Sequence, residues 1–191
     1  MELRELKSDE RLEVYNNYLI NDFHESEVKP LSLIEQLIGQ GKYKCYGFYE
    51  DGDLLGYGYF ITSKDSIVMD YLAVNSKYRC KGLGSKFISL INEKFSGEYA
   101  SLLAEVENPK HAVDETDRCN RERRISFYMK NNFKTSNIET CVLRDEYMII
   151  KLKLSRELDD EEIKREVTTV YKIIFGEEFF RKNIKVSFLH D

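Results

Sequence analysis

Arg79, Lys81, Gly82, Gly84 and Ser85 stand where an apolar, β-prone run (Ile67–Val74) gives way to helical spacing. A turn of this kind aims several backbone N–H groups at one point, where a helix N-terminus adds partial positive charge. The glycines let an anion approach the backbone without a Cβ in the way, and Arg79 and Lys81 add full charges. The spacing Arg79-x-x-Gly82-x-Gly84 outlines a pyrophosphate cradle. It is neither the G-x-x-x-x-G-K-[ST] of a P-loop nor the G-x-G-x-x-G of a dinucleotide site. It also follows the third of three strand-like segments, whereas the dinucleotide fingerprint opens the first βα unit of its fold. From these residues alone, a glycine-eased turn with surface basic residues is the competing reading.

The rest of the chain must hold that turn in place. Met1–Lys7 reads as a short strand, and Ser8-Asp9-Glu10 as the cap of a helix with Leu12, Tyr15 and Leu19 on one face. Pro30 precedes Ser32-x-x-Glu35, a capping-box pattern, and Gly39 and Gly41 stop the helix behind it. Tyr43–Glu50 and Leu54–Thr62 are strand-like runs joined by Asp51-Gly52, a strong hairpin signal. After the Ile67–Val74 strand and the cradle comes a helix, Ser85–Phe95, with Phe87, Ile88 and Ile91 inward. Then follow a strand (Ser101–Glu107), a helix (Arg121–Asn131) and two strands (Ile138–Leu143, Tyr147–Leu154). Asp159-x-x-Glu162 caps a final helix whose Ile163, Val167, Val170 and Ile174 form one apolar stripe, ended by Gly176. That helix either packs on the domain or serves as a dimer contact or lid.

The 191 residues suit one domain, 1–155, with a C-terminal helical extension, 156–191, packed on it. A content of 42% hydrophobic and 33% charged residues is an ordinary soluble balance, which disfavours a disordered or membrane class. No apolar run reaches bilayer length, and Met1-Glu2-Leu3-Arg4-Glu5 lacks a signal-peptide core. Cys45, Cys80, Cys119 and Cys141 are scattered, which argues against zinc and fits reduced thiols in a cytoplasmic protein. His24, His111 and His190 share no ligand spacing, so no metal is expected. A net charge of −5 disfavours nucleic acid and leans toward a cationic substrate.

Leu72-Ala73-Val74 through Tyr78-Arg79-Cys80-Lys81-Gly82-Leu83-Gly84 resembles the acetyl-CoA-binding motif of the GNAT superfamily of N-acetyltransferases, [QR]-x-x-G-x-[GA]. Two further segments agree, in the right order. Leu103-Ala104-Glu105-Val106-Glu107 is similar to the family's L-E-V strand, and Phe127-Tyr128 through Asn132-Phe133 to its F-Y-x-x-x-G-F segment. The resemblance covers about 40 to 150, extends less distinctly over 1 to 40, and stops near 155. It implies an α/β GNAT-like acyl-CoA-binding fold: a mixed, mostly antiparallel sheet flanked by helices, here with an extra C-terminal helix. It also implies direct transfer of an acetyl group from acetyl-CoA to a primary amine, with a small cationic acceptor favoured by the acidic residues. Protein N-termini or lysines are the alternative acceptors. A non-catalytic acyl-CoA sensor is the rival reading, and the expected assembly is a monomer or homodimer.

The resemblance also implies roles. Backbone groups of Leu72 and Val74, flanking Ala73, would pair with the pantetheine arm, and N–H groups of Cys80, Lys81, Gly82, Leu83, Gly84 and Ser85 would take the pyrophosphate. Tyr128 would protonate the departing thiolate, since a phenol with a pKa of about 10 is still protonated at neutral pH. Its alternative is an ordinary core tyrosine. Glu105 takes the glutamate position of the L-E-V-like motif. Glu107, two residues on, lies on the same strand face by alternation. Either could be the general base or only attract a cation, Asp70 is a third candidate, and some relatives use a water chain alone.

The departures from the family pattern are Arg121 where asparagine is common, with Asn120 one place off, and Asn132 for the motif glycine. Asn132 tolerates left-handed backbone. The long segment Asn108–Asn120, with Asp114, Glu115 and Asp117, is a candidate lining for the acceptor site. Cys80 is a candidate for thiol exchange with CoA, against a stronger bystander reading.

Overall fold

Residues 1–189 are described by a computed structural model, in which the chain forms two compact units. The first comprises Met1–Thr62 and Met69–Lys94; the second comprises Ser63–Val68 and the residues from Phe95 onward. Among the described residues no helix is long and apolar enough to cross a membrane.

In the first unit, β1 (Glu2–Glu5) pairs antiparallel with β2 (Tyr43–Glu50), and β2 with β3 (Asp53–Thr62). Asp51 (φ 51°) and Gly52 (φ 90°) are both left-handed, as the tight turn of a two-residue hairpin requires. β4 (Ser66–Val74) begins in the second unit and ends in the first, completing the order β1-β2-β3-β4. Gly56 on β3 allows a close approach: a Cβ there would lie 2.6 Å from the Ala73 carbonyl oxygen of β4. Helix α4 (Leu83–Phe95) buries Phe87, Ile88 and Ile91 as expected, and Phe87 stacks on Phe48 of β2.

Two helical expectations need correction. Helix α1 (Ser8–Val14) runs through a π turn (Tyr15–Leu19) into α2 (Ile20–Asp22). The wider turn shifts the inward face, so Val14 and Leu19, five residues apart, are buried while Leu12 is exposed. In α3 (Leu31–Gly39) the Ser32-x-x-Glu35 pattern forms no capping box, because Pro30 is the N-cap. Glu35 instead takes a two-pronged ion pair from Arg11 of α1, at 2.8 and 2.6 Å.

The second unit holds β5 (Ser101–Glu107), α5 (Glu115–Lys130), β6 (Lys134–Val142) and β7 (Asp145–Lys153), then α6 (Asp160–Phe175), α7 (Glu177–Asn183) and β8 (Ile184–Phe188). Its strand order is β5-β7-β6-β8, each pair antiparallel. The C-terminal extension is therefore more than the single helix expected, since it also adds α7 and an edge strand. The Asp159/Glu162 capping box forms, with reciprocal bonds of 2.8 and 3.0 Å. Ile163, Val167, Val170 and Ile174 are all buried as α6 packs on β6 and β8.

Glu166 lies within that apolar stripe, only 7% exposed. Its Oε2 accepts from the backbone N–H groups of Asp65 and Ser66 and from the Ser66 hydroxyl, at 3.1, 3.0 and 2.8 Å. Three donors on one oxygen are what make a buried carboxylate tolerable. They tie the extension to the start of β4.

Candidate active site

The cradle belongs to the first unit. Asn75 follows β4, and its side chain caps a short 3₁₀ turn (Ser76–Tyr78) by accepting from the Lys77 N–H at 3.2 Å. Past that turn Cys80 (φ 64°) and Gly82 (φ 74°) are left-handed, two positions apart, just before α4 begins. Alternation of this kind turns successive N–H groups to one side. No hydrogen-bond acceptor among the described residues meets the N–H groups of Cys80, Lys81 or Gly82. Left-handed backbone suits glycine and is costly at a cysteine, which marks strain at this turn. The Cys80 thiol is exposed. The final β4 residues, Leu72, Ala73 and Val74, are half-buried where the strand's start is buried.

Arg79 departs from expectation. Its Nε donates to the Val74 carbonyl at 3.0 Å, and its Nη2 pairs with Asp22 at 2.7 Å. Asp22 also accepts from the buried Tyr57 hydroxyl at 3.0 Å. The exposed Arg79 side chain thus braces the turn through Val74 and Asp22, and Lys81 beside it is exposed as well. Asp70, the third candidate base, pairs with Lys29 at 2.7 Å and accepts from the Tyr43 hydroxyl.

In the second unit, Tyr128 lies on α5, its ring edge-on to Phe127 and Phe133. Burial raises its phenol pKa, and the nearby Arg124 charge offsets this only in part. The turn after α5 passes through Asn132 at φ 66°, so asparagine serves where the family motif has glycine. Helix α5 starts at Glu115, six residues earlier than the sequence suggested, and this takes up nearly half of the supposed loop. Asp114 is its N-cap and accepts from the Asp117 N–H at 2.8 Å; Glu115 pairs with Arg118 at 2.6 Å. Negative charge in a first helical turn is favourable in itself. These acids build the helix start and do not form an open acidic loop.

Arg121 connects several of these groups. It pairs with Asp117 at 2.9 Å, donates to the Asn108 carbonyl at 3.0 Å and lies 3.9 Å from Glu107. Glu107 also takes an ion pair from Arg124. Its charge is matched by two guanidiniums, which argues against the base role considered for it. Glu105 meets a different environment. Its Oε1 accepts from the Thr140 hydroxyl of β6 at 2.8 Å and from the Tyr171 hydroxyl of α6. Burial and the Glu105 carboxylate together push the Tyr171 pKa well up.

Sequence reasoning missed Tyr171 and Glu166. The available signal was two hydrogen-bonding side chains set within an apolar helical stripe. Among the described residues no group of three or more His, Cys, Asp or Glu could hold a metal ion. His111 pairs with Glu146 at 2.8 Å, His24 with Ser26, and His190 lies outside the described residues.

The sequence profile of the acetyltransferase (GNAT) domain matches residues 41–135, from β2 through the cradle to the start of β6. The chain belongs to the GNAT acetyltransferase superfamily. Its fold is that of the family, as solved structures show. A GNAT-family protein from Bacteroides thetaiotaomicron is 16% identical, with a TM-score of 0.72 over 93% of this chain and 99% of that one. Residues 1–155 alone could not supply that share, so the likeness runs into the C-terminal extension. A GNAT acetyltransferase from Elizabethkingia anophelis, solved with acetyl-CoA bound, is 12% identical with a TM-score of 0.56 over 80% and 97% of the two chains. A ribosomal-protein-alanine N-acetyltransferase from Brucella melitensis is 15% identical, with a TM-score of 0.56 over 81% and 100%. No curated protein matches the sequence.

Proposed function

We propose that this GNAT protein transfers an acetyl group from acetyl-CoA directly to a primary amine, and that the amine belongs to a small cation. The observation that carries the donor half is the turn at 79–85, with left-handed Cys80 and Gly82 opening α4. Turns of this form suit a pyrophosphate. The acetyl-CoA bound to the Elizabethkingia relative supports the same donor here.

In the reaction, the ammonium first gives a proton to Glu105. The neutral nitrogen attacks the thioester carbonyl, a C–N bond forms, the C–S bond breaks, and the CoA thiolate takes a proton from Tyr128. The acylated nitrogen loses its second proton to solvent, Tyr128 is reprotonated and Glu105 gives its proton up to solvent, so the products are an amide, a free thiol and one released proton. Tyr128 suits the last step because its raised pKa keeps it protonated. Glu105 is preferred because it occupies the glutamate position of the family's L-E-V-like strand, on β5. The net charge of −5 supports a cationic acceptor.

A panel of amines, from linear polyamines and aminoglycosides to peptides with free N-termini, incubated with acetyl-CoA tests this through thiol release. Release with a small polycation and little with peptides is expected. Release with peptides alone would replace the acceptor class, and release with no amine would favour a binding module.

A further inference from the structure

We infer that Tyr171, on the C-terminal extension, is a positioning residue for the candidate general base Glu105; the inference rests on the Glu105 role proposed above. Tyr171 lies outside the segment that matches the family profile, on helix α6, and is 5% exposed. Its hydroxyl and that of Thr140 on β6 both reach Glu105 Oε1, and the two hydroxyls are 3.1 Å from each other. Glu105, Thr140 and Tyr171 thus close a triangle contributed by β5, its neighbour but one, and helix α6, with the two hydroxyls buried and the carboxylate residue exposed. A carboxylate held through one oxygen by two donors has its rotation fixed, which is what proton abstraction from a bound amine needs.

The helix is itself braced. Tyr171 stacks on Phe175 and Phe175 on Phe179, with centroids 6.2 and 5.2 Å apart, so the ring is held from behind along α6 into α7. The buried Ile163/Val167/Val170/Ile174 stripe and the Glu166 anchor fix the same helix on the sheet. A tyrosine serving only as packing would not need its hydroxyl on a carboxylate.

The experiment measures kcat and KM, with the best amine of the panel, for Tyr171→Phe, Glu105→Gln and the double variant in the full chain. Tyr171→Phe keeps the ring and its stacking but removes the hydroxyl. Its kcat should fall on the order of 10-fold, the loss one hydrogen bond to a charged group can carry, with KM for acetyl-CoA unchanged. In the Glu105→Gln background the same change should cost nothing further, because the two act as a unit. Thr140→Val removes the second hydroxyl by a change on β6, leaving the residues of α6 themselves unaltered, and should give a similar kcat loss, which covers the case of a Tyr171 variant that folds poorly. A slow Glu105→Gln beside Tyr171→Phe and Thr140→Val variants as fast as the parent would overturn the inference, as would fully additive losses. A Glu105→Gln as fast as the parent would instead remove the base assignment on which it rests.

Discussion

The roles proposed for Tyr128 and Glu105 need opposite protonation states, a protonated phenol and an ionised carboxylate. Burial holds the Tyr128 phenol above its ordinary value, so its protonated form persists to higher pH. An alkaline loss of kcat due to this group should therefore fall above pH of about 10. Tyr128→Phe should lower kcat roughly 10²-fold, the usual worth of a general acid, while CoA affinity holds. A Tyr128→Phe enzyme as fast as the parent at neutral pH would assign the proton to water or another donor. A separate residue-scale test concerns stability. Glu10 is lowered from 4.5 to about 2, chiefly by its hydrogen bonds from Arg4. Because the folded pKa is depressed, the contribution is complete above the unfolded value and is lost as pH falls toward the folded one. The melting-temperature gap between the parent and Glu10→Gln should thus be widest above pH 5 and close by pH 2. A gap independent of pH would show that the pair contributes packing alone.

At the scale of elements, periodicity and turn chemistry carried most of the information. The Asp51-Gly52 hairpin, the Asp159/Glu162 box and the Phe87/Ile88/Ile91 face all followed from local rules. Leu12 was misplaced because a π turn changes the period on which a helical stripe is read. Glu35 was misread because a capping pattern cannot reveal a partner, Arg11, that lies 24 residues earlier. The cradle was legible as a motif, yet the pairing of Arg79 with Asp22 is a long-range choice between two uses of one charge. Gly82 is the element's sharpest test. Nothing lies within 4 Å of a Cβ built there, so a side chain would meet strained backbone and any bound anion, not a clash. Gly82→Asp should abolish the rise in melting temperature that CoA gives the parent. A rise equal to the parent's would move the pyrophosphate elsewhere. In the second unit, Glu166→Ala leaves three donors unmet and should cost about 3 kcal/mol by denaturant unfolding. A cost near zero would mean that water replaces the carboxylate.

For the whole molecule, the GNAT resemblance was visible in three short motifs, while the make-up of the C-terminal extension was not. Residues 156–189 lie beyond the family profile, yet they supply an edge strand, a buried carboxylate and the Tyr171 hydroxyl. β8 went unread because Ile184–Phe188 is only five residues long, too short for its alternation to stand out. Truncation at Ser155 should expose the α6 stripe's counterpart on β6, lower the melting temperature and reduce solubility. An unchanged melting temperature would make the extension dispensable. The central claim is that the chain uses acetyl-CoA through the 79–85 turn, and titration calorimetry of the full chain with acetyl-CoA and CoA addresses it most directly. Saturable binding of both, with one molecule per chain, is the predicted result. Folded protein that takes up neither would contradict it.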